Sequence, residues 1–440
     1  MSAKAVIGGV ITSLITSPRL RDSRRSLAGI KRKLKAALAQ VHYFHQTDDP
    51  YSHLMLQVLP ALLANYQIEL VLHAASIPTE AAAPDRVRLE AWSRRDAVVL
   101  AKRVGLHFVD PQQQPPAALV ARADQALVAA FSASTTSSEV LASAMAISDA
   151  LWRSNATAVS AFPAAEPSTT AVAMEAGAAL RQKLGHYLGG TLYFEGEWYW
   201  GIDRLQYLED RLRSAGLARN ARLALIAPVP RVNCAHQPTN GAHPDLHFFL
   251  SFRSPYTYIA VPRVIQMAKH YGANLQLRFI LPMAMRGLPV PIEKRLYITR
   301  DTKREAESLG LRFGRIADPL GEPTERGLAV LHHAIKVGKG PEFALSFLQG
   351  VFADGIDAGS DSGLRKIAER AGVNAALVKT ALADSSWREV AELNRAEMFS
   401  EGLWGVPSFR VDQRPAHWGQ DRMWLIEQDL IAATAAVAKT

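Results

Sequence analysis

Short apolar runs followed by helical stripes recur along the chain. HFFLSF at 247–252 is apolar at consecutive positions and predicts a buried strand. Ser254 and Pro255 follow at once and predict a helix start. A serine oxygen caps the unpaired N–H groups of a first turn, and proline costs nothing where an N–H has no partner. Tyr258, Val261, Ile265 and Ala268 then fall on one side at a spacing of three or four. LQLRFIL at 275–281 predicts a second strand. Helical spacing fills 324–383, with glycine-rich breaks at 337–341 and 355–363. Short strands and a last helix close the pattern, one strand being opened by Pro407, a tolerated place for proline.

The same order appears earlier. YFHQTDDPYSHLMLQVLPALLANY at 43–66 aligns without a gap on FFLSFRSPYTYIAVPRVIQMAKHY at 248–271, and WSRRDAVVLAKRVGLHF at 92–108 on YITRDTKREAESLGLRF at 297–313. WGIDRLQYLE at 200–209 matches WGQDRMWLIE at 418–427. Three blocks in one order predict a duplicated domain. In the first copy IELVLHA at 68–74 is the second strand, and the Ala- and Ser-rich stretch 117–161 is the helical middle. The expected layout is a basic helical segment at 1–40, a first domain at 41–227, a Pro-, Asn- and Gly-rich linker at 228–245 and a second domain at 246–440. Each domain is α/β, with β-α-β, a helical insertion and β-β-α in turn.

Charge changes the picture only locally. The net charge is +9, but residues 19–35 hold eight basic residues (Arg19, Arg21, Arg24, Arg25, Lys31, Arg32, Lys33, Lys35) against the single acid Asp22. Leu20, Leu27, Ile30, Leu34 and Leu38 give that segment one apolar side. The expectation is a solvated basic face docked on its own domain, with weak contact to an anionic membrane surface as the alternative and nucleic acid disfavoured. Residues 6–17, VIGGVITSLITS, are too short and too polar to span a bilayer and lack a secretory cleavage pattern, so the cytoplasm is the expected location.

The single cysteine, Cys234, rules out an internal disulfide, a two-cysteine redox motif and a multi-cysteine zinc site. The sequence has no G-x-S-x-G elbow, no complete P-loop and no G-x-G-x-x-G. His332-His333 reads as surface or packing histidines and no metal is expected. Asp48, Asp49 and His53 read as a cap with polar neighbours, a distinct ligand site being the alternative. Glu195, Glu197, Trp198, Tyr199 and Trp200 form an aromatic hairpin, read as core and inter-copy contact.

SFRSPYTYIA, KRLYITRD, LWGVPSFRVD and HWGQDR, in that order, resemble the kappa-class glutathione transferases and the 2-hydroxychromene-2-carboxylate isomerases, of the DsbA-like branch of the thioredoxin superfamily. The resemblance implies two tandem thioredoxin-like domains forming an intramolecular pseudo-dimer, with glutathione as cofactor and a small conjugated or aromatic substrate. By the same resemblance Ser254 stabilises the glutathione thiolate, and Val406, before a cis Pro407, pairs its backbone with the cysteinyl backbone. Asp421 with Gln420 holds the γ-glutamyl amino group, and Lys294 meets a carboxylate. The loop 286–293 departs from the family, being shorter and lacking its asparagine. The first copy departs further, with Asp49 for the serine, Leu89 for the lysine and Gly190-Thr191 for Val-Pro; Asp203 alone survives. An isomerase is the leading expectation, with a kappa-type transferase or a non-catalytic binding or assembly protein as alternatives. Thiol–disulfide exchange has no Cys-x-x-Cys to work with, the turns reading Ser254-Pro-Tyr-Thr257 and Asp49-Pro-Tyr-Ser52.

Overall fold

In the computed structural model, residues 3–133 and 135–435 are described, so the extreme ends of the expected first and last segments (1–2 and 436–440) lie outside the described residues. The chain divides into two compact units. The N-terminal unit comprises residues 22–229 and 291–297, and the C-terminal unit residues 1–21, 230–290 and 298–440. These bounds differ from the expected ones in three ways. Residues 1–21 belong with the second unit, 22–40 with the first, and the short run 291–297 returns to the first.

In the N-terminal unit β1 (Ala39–His45) pairs parallel with β2 (Ile68–Ala74), and β1 pairs antiparallel with β3 (Thr191–Phe194), which pairs antiparallel with β4 (Glu197–Trp200). The sheet order is β2-β1-β3-β4. Val41 and Tyr43 of β1 lie in the core with Leu54, Leu59 and Leu62 of the helix Pro50–Asn65. The helical middle resolves into Ala117–Phe131, Ser137–Trp152 and Ala156–Ala161, followed by Pro167–Leu184. Thr136 and Glu139 make a reciprocal capping box at the second of these.

The C-terminal unit has the same plan. β5 (Asp245–Leu250) pairs parallel with β6 (Asn274–Phe279) and antiparallel with β7 (Ser408–Val411), which pairs with β8 (His417–Trp418), giving β6-β5-β7-β8. The strand predicted at 247–252 is two residues early, because Ser251 and Phe252 already belong to the turn that delivers Ser254. Phe248 and Phe409 stack across the sheet at 5.2 Å, and Phe252 stacks on Phe347 of the helix Gly340–Gln349 at 4.0 Å.

The expected linker is irregular in backbone but not free. Buried Glu427 accepts from the Cys234 N–H at 2.6 Å, and the Thr239 N–H donates to the Thr434 carbonyl at 2.9 Å. A buried carboxylate needs donors, and this segment supplies one. The basic segment is helical, Ala3–Ile15 and Pro18–Leu34, but it is turned the other way from expectation. Arg25 and Arg32 hold Glu197 and Glu195, while Leu27, Ile30, Leu34 and Leu38 are exposed. No helix among the described residues is long and apolar enough to cross a membrane.

Candidate functional site

β5 ends at Leu250, and after four intervening residues the helix Pro255–His270 begins. Ser254 sits at its N-cap in extended conformation (φ −96°, ψ 112°), and its Oγ accepts the Thr257 N–H at 3.1 Å. The same hydroxyl donates to the Val406 carbonyl at 3.4 Å, a long contact. The Val406–Pro407 bond is cis. The Pro407 carbonyl in turn accepts the Gly419 N–H at 2.9 Å, and Gly419 (φ 101°) leads into the turn Gln420–Arg422. Gly405 has no room for a side chain, since a Cβ there would lie 2.5 Å from the Trp418 ring. The strand that Pro407 opens thus meets the Ser254 helix start directly, and the Gly419 turn is tied to that strand through Pro407.

Of the six residues singled out in the sequence, the structure links Ser254, Val406 and Pro407 through these bonds and places Gln420 and Asp421 next to Gly419. Gln420 is buried and its amide is used internally. Its Oε1 accepts from Arg263 Nη2 at 2.6 Å, and its Nε2 donates to Glu305 Oε2 at 3.2 Å and to Asp421. It therefore positions Asp421 and leaves no amide atom free for a ligand. Arg263 and Glu305 were not legible as site residues, because their roles exist only through Gln420. The Thr257 hydroxyl is fully buried and has no hydrogen-bond partner among the described residues.

Lys294, expected from the sequence to meet a carboxylate, is bonded to a backbone carbonyl. It belongs to the N-terminal unit, where its Nζ donates to the Ala82 carbonyl at 2.8 Å and lies 5.5 Å from the Tyr187 ring centre. Burial pushes its ammonium down to about 8. The reason is the packing of residues 291–297, where Tyr297 meets the His186 ring edge-on at 4.4 Å and carries Lys294 with it.

The equivalent turn in the N-terminal unit is closed. Asp49 caps the helix Pro50–Asn65, accepting from the Tyr51 and Ser52 N–H groups at 3.3 and 2.9 Å and from Ser52 Oγ at 2.8 Å. Burial pushes its carboxyl up to about 6 against the lowering effect of those bonds. A Cβ on Gly190 (φ 62°) would lie 3.1 Å from the Ser52 nitrogen, so the backbone lies directly over the cap. Asp203 is held by Arg103 at 2.9 Å.

His53 is separate from Asp49. Its ring bonds Ser148 Oγ at 2.9 Å, burial pushes it down to about 4, and it borders an open cleft of about 470 Å³ with His107, Trp152 and Arg153. Glu195 and Glu197 are bound by Arg211 as well as by Arg32 and Arg25, and Trp198 and Tyr199 are buried. His333 pairs with Asp384 at 2.8 Å, and among the described residues no group of three His, Cys, Asp or Glu side chains is placed to hold a metal.

Two pairs recur in both units. Tyr51 donates to Asp96 at 2.8 Å and Tyr256 to Asp301 at 2.7 Å; Tyr66 donates to Glu209 at 3.1 Å and Tyr271 to Glu427 at 3.3 Å.

The family model described as a DSBA-like thioredoxin domain matches residues 245–430. Among solved structures, the chain is similar to a probable DsbA oxidoreductase from Streptomyces coelicolor, at 21% identity over 45% of this chain and 94% of that one, TM-score 0.37. It is similar to 2-hydroxychromene-2-carboxylate isomerase at 19% identity over 42% of this chain and 93% of that one, TM-score 0.37. It is also similar to the cytosolic disulfide reductase DsbM of Pseudomonas aeruginosa with GSH, at 17% identity over 43% and 96%, TM-score 0.32. No curated protein matches the sequence. The family match and the strand order together assign residues 245–430 to the DsbA-like thioredoxin fold, and the N-terminal half is likewise α/β.

Proposed function

We propose that the C-terminal unit is a glutathione-dependent isomerase of the 2-hydroxychromene-2-carboxylate type, acting on a small conjugated or aromatic substrate. The observation that carries the reading is the Ser254 hydroxyl, held at a helix start with its hydrogen on a weak 3.4 Å contact to Val406. One lone pair stays on the Thr257 N–H, so the cap survives when the O–H turns onto a sulfur. The hydroxyl and the helix N-terminus both favour a thiolate there over a thiol. Val406 offers backbone groups to a cysteinyl backbone, and Asp421, braced by Gln420, offers an anion to an ammonium. The thiol end of glutathione therefore fits the residues present, and Lys294 is not available for a carboxylate. Bound there, glutathione supplies a nucleophile that adds to a conjugated double bond, lets it rotate and leaves. The cytoplasm, which keeps thiols reduced, suits such a cofactor.

The N-terminal unit is read as a second, decayed copy of the same domain. The recurring Tyr–Asp and Tyr–Glu pairs and the matching strand order support duplication, while Asp49 and the Gly190 backbone close the site. The loss of Lys294 and the internal use of Gln420 favour one second reading, a binding or assembly protein that does not turn over substrate. Calorimetric titration of glutathione into the full chain separates the two. Binding at millimolar concentration or tighter, weakened about tenfold or more in Ser254→Ala, is expected for the isomerase. No binding to the wild type would sink it.

A further inference from the structure

An amphipathic helix ordinarily turns its apolar side to a core and its charges to water. The two helices at the start of the chain each do the reverse. In Pro18–Leu34 no residue is buried. Arg25 and Arg32 bind Glu197 and Glu195, and the Arg32 guanidinium lies 6.0 Å from the Phe194 ring centre. Leu27, Ile30 and Leu34 are 66%, 55% and 83% exposed, and Leu38 just beyond is 66% exposed. At 3.6 residues per turn, Arg25 and Arg32 project about 140–160° away from Leu27, whereas Arg24 and Lys31 project only about 40–60° from it. Arg19, Arg24, Lys31, Lys33 and Lys35 are all exposed.

Helix Ala3–Ile15 repeats the inversion. It docks through small and polar residues: Gly9 is buried, the Ile316 N–H donates to Thr12 Oγ1 at 3.1 Å, and Thr16 is buried against Gly314, where a Cβ would lie 2.2 Å from the Thr16 hydroxyl. Ile7, Val10, Ile11 and Leu14 are more than half exposed. Nine of the twenty exposed large aliphatic side chains among the described residues fall between Ile7 and Leu38. Singly exposed aliphatics are ordinary; a run of them at helical spacing within one helix is not.

We propose that this N-terminal segment lies in the plane of an anionic lipid bilayer surface, its aliphatic side chains at the acyl boundary and its exposed cations among the headgroups. Charge selects this occupant. Nucleic acid would take the cations and leave the leucines in water, and a second copy would cover the leucines while bringing like charges together. A bilayer with acidic headgroups answers both. Neither helix is long enough to cross it, so the contact is lateral.

Flotation of the full chain with phosphatidylcholine vesicles, with and without about 30% phosphatidylserine, tests the proposal. Binding about tenfold stronger with phosphatidylserine, falling as salt is raised, is expected. Leu27→Asp with Leu34→Asp should reduce it about tenfold with an unchanged melting temperature, since both residues are exposed. Ile11→Asp with Leu14→Asp should do the same from the other helix. Absence of binding to the acidic vesicles, or binding that the aspartates leave intact, overturns the proposal. So does a wild-type dimer in sedimentation that the aspartates dissociate, which would make a second copy the occupant.

Discussion

Tyr256 donates its phenolic hydrogen to the Asp301 carboxylate at 2.7 Å, and Asp301 is 1% exposed. The bond ties the first turn of the Ser254 helix to the helix Ile292–Ser308, with Arg304 adding a second donor at 3.3 Å. Removing one partner from a buried carboxylate costs more than the bond contributed, because the remaining charge stays desolvated. Tyr256→Phe should destabilise the protein by about 1–3 kcal/mol in urea unfolding. Tyr51→Phe should cost a similar amount through Asp96, which is 4% exposed. An unchanged unfolding midpoint in either variant would show the bond to be incidental.

These pairs explain why the fold was legible. Tyr51 and Tyr256 lie in one aligned block and Asp96 and Asp301 in another, so two blocks that looked independent in sequence are the two ends of one bond. The caps were legible too, since Ser254-Pro255 and Asp49-Pro50 need only local chemistry. The site was only partly so. Ser254 and Val406 meet, whereas the Lys294 ammonium is engaged by the Ala82 carbonyl, a bond that no local pattern encodes. The inverted basic helix was misread for a related reason. Periodicity identifies an apolar side but not which side docks, and here Glu195 and Glu197 on the aromatic hairpin draw the arginines inward.

Asp49 gives stability a pH dependence of definite sign. Its carboxyl rises in the fold from the usual carboxylate range to about 6, chiefly through burial. A group raised in the folded state contributes stability that is fully present below its unfolded value and is lost as pH rises through the folded one. The loss should run from about pH 4 to about pH 6.5 and reach about 1–2 kcal/mol, once the partial exposure of the side chain is allowed for. Asp49→Asn keeps a capping oxygen and removes the charge. It should be more stable than the wild type by that amount at pH 7, with the advantage shrinking at pH 5. Equal stability at both pH values would remove Asp49 as the source.

Lys294 separates packing from binding. Its ammonium is depressed to about 8 by burial, so at pH 7 the folded state holds a charge it disfavours, and that cost is relieved as pH rises from about 8 towards the unfolded value near 10.4. Lys294→Met should gain about 1 kcal/mol at pH 7, offset by the lost bond to Ala82, and gain less at pH 9.5. Glutathione affinity should stay within about twofold of wild type, since the ammonium is held on Ala82. A tenfold loss of affinity would return Lys294 to the site.

Ser254 remains the residue at which cap and chemistry coincide, and two substitutions pull them apart. Ser254→Ala removes the oxygen that accepts the Thr257 N–H, so it should cost about 1 kcal/mol of stability and weaken glutathione binding together. Ser254→Asp restores a capping oxygen, as Asp49 does for the helix Pro50–Asn65, and should recover stability to within about 0.5 kcal/mol of wild type. A carboxylate beside a thiolate raises the thiol pKa instead of lowering it. The aspartate variant should therefore fold like the wild type and still fail to bind glutathione as a thiolate, read by the ultraviolet absorbance of the thiolate on titration with pH. If Ser254→Asp binds and ionises glutathione as well as the wild type, the hydroxyl is a cap and nothing more.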